Sequence, residues 1–203
     1  MRTLAIDCAT EACSVALFDG AALLAHAHSV LGRGHAERLV PMIATLPQRG
    51  RAARILVSRG PGSFTGVRIG LATARALALA WGSEVLAYPA LAIVAAMARA
   101  ERPGEPVSVA MTGGHGEWFV SEFDAAGLPQ GAVRSLTPEV ASAQAQAALV
   151  AGSQAEALVA RRGHGEPLAC LPDARLALAM PAALLTPDLA PDYGRPPDAR
   201  LPV

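Results

Sequence analysis

The chain has 203 residues, is 52% hydrophobic and only 17% charged, which rules out intrinsic disorder and leaves enough apolar material for one large or two small cores. Its 17 basic residues are all arginine and balance 17 acids, so it lacks the basic face of a protein that grips nucleic acid unaided. Any hold on RNA would fall to a partner.

The first thirty residues predict three strands: Arg2–Asp7, Ala12–Phe18 and, after the hairpin signal Asp19-Gly20, Ala21–Val30. A helix pattern covers Ala36–Leu46, with Leu39, Ile43 and Leu46 at helical spacing and Pro41 expected to bend it. Strand Arg54–Ser58 leads into Ser58-Arg59-Gly60-Pro61-Gly62-Ser63-Phe64-Thr65-Gly66, a glycine-rich turn ahead of a helix over Gly66–Trp81. Strand Glu84–Tyr88 and helix Ala90–Ala100 complete a βββαβαβα order, which predicts a mixed sheet covered by helices. The polar segment Glu101–Pro106 is rich in chain breakers and reads as a boundary.

Beyond it the pattern restarts. At an offset of 105 residues Leu4-Ala5-Ile6-Asp7 falls on Val109-Ala110-Met111-Thr112, Val15 on Val120, Phe18-Asp19 on Phe123-Asp124 and Leu23 on Leu128. Further helices are predicted near Pro138–Ala147, Gln154–Arg161 and Arg175–Leu185, before a proline-rich tail from Pro187. The fold class expected is α/β: two related actin-like (ribonuclease H-like) lobes, each opened by a three-strand meander, the second reduced. The first lobe spans 1–101, completed by the tail 188–203, and the second spans 106–187.

Free amides at a glycine-rich helix start fit an anion, but without lysine the P-loop ending Gly-Lys-Ser/Thr is impossible. In a two-lobed actin-like architecture a nucleotide lies between the lobes, flanked by an acid at the end of each first strand. Asp7 stands at that position, but its counterpart is Thr112. A vestigial or interface phosphate loop is therefore assigned to Asp7, Thr10, Gly60, Gly62, Ser63 and Thr65, beside the alternative that Ser63 or Thr65 merely caps the helix. No catalytic residue and no metal site is assigned, because the five histidines (His26, His28, His35, His115 and His164) form no HxxxH pair. His35 is expected to act structurally at the mouth of the first helix. Cys8, Cys13 and Cys170 form no CxxC motif and read as reduced thiols. With Asp7 interrupting any signal-peptide core, and no uncharged apolar stretch longer than the 14 residues Val85–Ala98, the chain is expected to be cytoplasmic and not membrane-bound.

Gly66, Gly70, Ala74 and Ala78 fall four apart, so small residues line one helix face. That face suits either packing within the chain or a helix–helix interface with another one. The candidate partner surface comprises His35, Leu39, Met42, Ile43 and Leu46 on the first helix. On the second it comprises Gly66, Arg68, Ile69, Gly70, Thr73, Ala74, Leu77 and Ala78, with Leu71, Leu79 and Ile69 on other faces able to serve the sheet.

Several segments resemble the bacterial TsaB (YeaZ) family: Asp7-Cys8-Ala9-Thr10-Glu11-Ala12-Cys13-Ser14-Val15-Ala16-Leu17, His35–Ile43, Arg59–Gly70 and, in the tail, Tyr193–Arg200. The resemblance is dense over residues 1–100 and thin beyond. It implies an actin-like fold and a non-catalytic scaffold or dimerisation role in making threonylcarbamoyladenosine beside the tRNA anticodon. The partners implied are the catalytic subunit TsaD and the ATPase TsaE, with a functional link to the synthase of threonylcarbamoyl-adenylate. TsaD pairing is implied through the first two long helices, with homodimerisation as an alternative. No cofactor of its own is implied, although ATP or ADP fits the joint interface. An autonomous ATP-binding phosphotransferase of the actin-like class is the competing reading, and a hydrolase using Ser63 a weaker third. The chain departs from the family pattern at Thr112-Gly113-Gly114-His115, where Asp-Ala-Arg is usual.

Overall fold

The computed structural model describes residues 1–194. The first lobe comprises β1 (Arg2–Asp7), β2 (Ala12–Asp19), β3 (Ala22–Val30), α1 (His35–Thr45), β4 (Arg54–Ser58), α2 (Phe64–Trp81), β5 (Glu84–Tyr88) and α3 (Ala90–Glu101). Its sheet order is β3-β2-β1-β4-β5, antiparallel through the opening meander and parallel from β1 to β5. Gly20, at φ +57°, turns β2 into β3, as the Asp-Gly signal requires. α1 runs through Pro41 as a single element.

The second lobe comprises β6 (Val107–Thr112), β7 (Trp118–Phe123), β8 (Arg134–Leu136), α4 (Pro138–Gln144), β9 (Leu149–Ala151), α5 (Ala155–Arg162) and β10 (Glu166–Leu168). Its order, β8-β7-β6-β9-β10, repeats the first sheet in connectivity and direction. The 105-residue offset carries β1 onto β6 residue for residue. The match ends after β7. Leu128 follows a turn closed by Gly127 N–H to Asp124 O (2.9 Å) and is not in a third strand; a single bridge joins Pro129 to Phe123, and ladder pairing with β7 resumes as β8 at Arg134.

The two lobes share one core. α3 is apolar on nearly every side, and a helix of that kind must be buried. Leu91, Ile93, Val94 and Ala98 are each at most 1% exposed, and the helix packs on β6 and β9 of the second sheet. The shared core runs on into Val107, Val109, Met111 and Phe119, while the opposite face of that sheet buries Trp118, Val120 and Val150 under Ala141, Ala155 and Leu158. The segment from Arg102 to Pro106 is therefore a turn between two sheets, not a linker between independently cored units.

The helix expected over Arg175–Leu185 is corrected to two short 3₁₀ segments, Ala174–Ala179 and Ala182–Leu184. Pro181 supplies no N–H and interrupts any longer ladder, while Asp173 Oδ1 accepts from Arg175 N–H (2.9 Å) at the start. From there the chain returns to the first lobe. Thr186 pairs with Ala87 on the edge of β5, Asp188 meets Arg59 at 2.9 Å, and Asp192 N–H donates to Arg59 O at 2.8 Å. Asp188 and Asp192 thus lie against the first lobe, while Gly194 sits between Pro61 and Phe119 of the second. Residues 195–203, including most of the C-terminal motif, lie outside the described residues.

Candidate functional site

The place where an actin-like lobe would grip a phosphate is the meeting of the β1–β2 turn with the β4–α2 loop. Here the two loops grip each other. Ser63 N–H donates to Ala9 O (2.7 Å), and a Cβ on Gly62 would fall 1.9 Å from the same carbonyl. A Cβ on Gly66 would fall 2.1 Å from Cys8 O, and one on Gly60 (φ +99°) 2.2 Å from Asp192 O. The glycines are therefore required by the chain's own close approach, and they leave no cradle. Ser63 is the α2 N-cap, its Oγ accepting from Gly66 N–H at 3.2 Å, as the capping alternative expected. Thr10 Oγ1 accepts from Ala12 N–H (3.2 Å), and Thr65 is exposed on the first turn of α2.

Asp7, assigned from sequence to the nucleotide cleft, is corrected to an internal position. It is 1% exposed, with Oδ1 accepting from Ala9 N–H (3.0 Å) and Oδ2 from the Tyr88 hydroxyl (3.1 Å). Burial pushes its carboxyl up to about 6, against the opposing pull of those two hydrogen bonds. At the equivalent place in the second lobe, Thr112 Oγ1 lies 3.0 Å from Ser153 Oγ and accepts from Gln154 Nε2 at 2.9 Å. The Thr112-Gly113-Gly114-His115 departure folds as a tight turn, with Gly113 N–H donating to Glu117 O (2.8 Å) and His115 and Gly116 at positive φ. Among the described residues no group of three His, Cys, Asp or Glu side chains is placed to hold a metal ion, and no helix is long and apolar enough to cross a membrane.

Asp7 dictates a pH response. The folded chain holds a proton on Asp7 up to about pH 6, whereas the unfolded chain releases it near 3.8. Between those values the native state binds more protons, so this group's contribution to stability falls as pH rises, by up to about 3 kcal/mol. Asp173 works the other way. Burial raises its carboxyl, but hydrogen bonds and the charge of Arg175 outweigh burial and leave it below the ordinary value, so its contribution is lost on acidification. Asp7→Asn isolates the first effect, because its amide oxygen still accepts from Ala9 N–H and Tyr88 still donates to Ile6 O (3.0 Å). Urea titrations at pH 4 and pH 7 should show Asp7→Asn gaining stability relative to the parent as pH rises. A variant less stable at pH 7 than at pH 4, relative to the parent, would contradict this.

The candidate partner surface requires a larger correction. Leu39, Met42, Ile43 and Leu46 are buried in the first lobe's own core. His35 is buried as well, its Nε2–H donating to Thr10 O (2.9 Å) and Ala12 O (3.3 Å), which is the structural role expected of it. On α2, Gly66, Gly70 and Ala74 face the parent sheet, where a Cβ on Gly70 would meet Val57 and Cys8 at ordinary contact distance. The small-residue stripe thus seats α2 on β1 and β4. Leu71 does serve the core at 2% exposure, but Leu79, also expected there, is 89% exposed.

What remains outward on α2 is Phe64, Thr65, Arg68, Ala72, Arg75, Ala76, Leu79 and Ala80, flanked by half-exposed Ile69, Thr73, Leu77 and Ala78. Beside it α1 shows Val40, 54% exposed. Arg68 and Arg75 are the only charges on α2. Arg68 stacks over Phe64 (3.6 Å to the ring centre) and donates through Nε to the Tyr193 hydroxyl (2.8 Å), while Phe64 and Tyr193 stack at 5.1 Å. Arg75 donates to Leu189 O at 2.9 Å. Both charges are drawn toward the tail, leaving a largely apolar surface between them. Phe64, Ala72, Ala76 and Val40 were missing from the sequence assignment. Their signal was the lack of charge along α2, which also marks a buried helix.

The model of the TsaD family, described as tRNA N6-adenosine threonylcarbamoyltransferase, matches residues 29–173. A protein of Escherichia coli K12 named "tRNA threonylcarbamoyladenosine biosynthesis protein TsaB" is 36% identical over 128 residues, 61% of this chain and 55% of that protein. The Haemophilus influenzae protein of the same name is 38% identical over 105 residues, 49% of this chain and 43% of that one. The chain spans about half the length of the curated relatives it matches. Among solved structures, YeaZ from Pseudomonas aeruginosa superposes with a TM-score of 0.74 at 31% identity, covering 88% of this chain and 89% of that one.

Proposed function

Because this chain belongs to the TsaB (YeaZ) family, we propose that it is a non-catalytic subunit of the assembly that transfers a threonylcarbamoyl group to the adenosine beside the tRNA anticodon. It acts by pairing with a TsaD-type catalytic subunit through the outward faces of α1 and α2. The observation that carries this reading is the Ser63 N–H to Ala9 O bond, which joins the two loops that would otherwise flank a phosphate. A chain that uses its phosphate-loop amides on itself contributes surface, not chemistry. The apolar strip from Phe64 to Leu79 supports the same view, since exposed apolar patches of this kind mark protein interfaces.

In this reading tRNA is held mainly by the complex, in keeping with a net charge of zero. A TsaE-type ATPase and the synthase of the threonylcarbamoyl donor act with it in the cytoplasm, any ATP or ADP lodges at the joint interface, and a homodimer through the same helices is the alternative pairing. The test is mass spectrometry of tRNA nucleosides from cells depleted of this protein. Loss of threonylcarbamoyladenosine with a rise in adenosine at that position is expected, and unchanged modification would overturn the proposal. For the competing reading, autonomous ATP chemistry, calorimetry on the isolated chain is decisive: no heat of ATP binding is expected.

A further inference from the structure

We infer that Cys8 and Cys13 form a redox-active dithiol, which a small peroxide converts to an intramolecular disulfide across the β1–β2 turn. This goes beyond the proposed function and does not depend on it. The last paired residues of β1 and β2 are Asp7 and Ser14, so Cys8 and Cys13 stand opposite each other at the next position. Their sulfurs are already in contact at 3.4 Å. Opposed residues of an antiparallel pair have Cα atoms about 4.5–5.5 Å apart, inside the range a disulfide tolerates. Bond formation requires the sulfurs to close by roughly 1.4 Å, toward a length of about 2.05 Å. Cys170 is remote in the fold, against the second lobe, and has no thiol neighbour among the described residues.

The pair is asymmetric. The Cys8 thiol donates to the Cys13 sulfur, which holds Cys13 below the usual thiol range and Cys8 above it, and the Arg38 charge adds to the effect on Cys13. Cys13 is thus the attacking sulfur. Its thiolate takes one oxygen from hydrogen peroxide to give a sulfenic acid, and the departing hydroxide is protonated to water. Cys8 then gives up its proton and displaces the sulfenic hydroxyl, which leaves as a second water while the S–S bond forms. Two thiols lose two electrons and two protons, and one peroxide is reduced to two waters.

Burial selects the oxidant. Cys8 is 2% exposed and Cys13 0%, and the turn that carries them is clamped by His35 and by Ser63 N–H. A molecule the size of peroxide needs only a slight local opening of the turn to reach them. Glutathione disulfide does not.

The experiment treats the folded, reduced protein with hydrogen peroxide, blocks the remaining thiols, and maps peptides after cleavage at arginine. Both cysteines then lie in one peptide, Thr3 to Arg33, with Cys170 in another. That peptide is expected to become lighter by two hydrogen atoms and to recover its mass with dithiothreitol, and free thiols in the denatured chain should fall from three to one. With glutathione disulfide the reaction should be at least tenfold slower, and in Cys8→Ala dimedone should trap the Cys13 sulfenic acid. A Thr3–Arg33 peptide that stays unchanged, gains oxygen without the link, or cross-links to Cys170 would overturn the inference. So would equal rates with the two oxidants.

Discussion

Gly66→Ala is expected to destabilise the folded chain by about 3 kcal/mol or more, while Gly70→Ala, one turn further along the same helix, is expected to stabilise it by about 0.5–1 kcal/mol. The two glycines look alike in sequence but meet different neighbours. A methyl group at 66 would fall 2.1 Å from the Cys8 carbonyl oxygen, a main-chain atom at the end of β1 that cannot swing aside. At 70 it would fall 3.6 Å from Val57 Cγ2 and 3.7 Å from Cys8 Cβ, ordinary contact that costs nothing and restores helix propensity. Gly62→Ala, whose methyl would sit 1.9 Å from Ala9 O, should behave like the variant at 66. Urea unfolding of the variants beside the parent measures all of these. Equal stabilities at 66 and 70 would mean that α2 does not press on the β1–β2 turn as described.

Ala76→Arg is expected to leave stability within about 0.5 kcal/mol of the parent and yet weaken pairing with a TsaD-type partner by roughly a hundredfold, because it would bury an unpaired charge in an apolar interface. Ala76 is exposed midway along the outward strip of α2, where the only charges, Arg68 and Arg75, are already engaged by Tyr193 and Leu189. Size-exclusion co-elution and calorimetric titration with the partner read the effect directly. Undiminished affinity in a folded Ala76→Arg protein would remove α2 from the interface.

The contrast between these variants shows where sequence reasoning stops. The strands that open the two lobes are legible because β1 and β6 have equal length and matching apolar centres, Leu4-Ala5-Ile6 and Val109-Ala110-Met111, and the repeat of Phe-Asp fixes their offset. The cap at Ser63 is legible because a hydroxyl before a glycine-rich helix start has few other uses. The orientation of α2 is not, since small apolar residues occupy both its inner face (Gly66, Gly70, Ala74) and its outer face (Ala72, Ala76). Periodicity needs contrast between faces, and this helix offers little. Strands β8, β9 and β10, at three residues each, are too short to show an alternation. Asp7 misleads for a different reason. An acid ending a first strand suggests a nucleotide site, but its environment is set by Tyr88, which is 81 positions away and reaches it only in the folded chain.

On the proposed reading this chain supports threonylcarbamoyl transfer through its outer helices without taking part in the chemistry. The most direct measurement is the rate of transfer to tRNA in a reconstituted system containing the TsaD-type and TsaE-type subunits and the donor, with the chain intact, omitted, or carrying Asp7→Asn or Ala76→Arg. Omission and Ala76→Arg should each abolish or severely slow transfer, while Asp7→Asn should run at the parent rate. Full transfer without the chain, or loss of transfer in a folded, partner-bound Asp7→Asn protein, would contradict the claim.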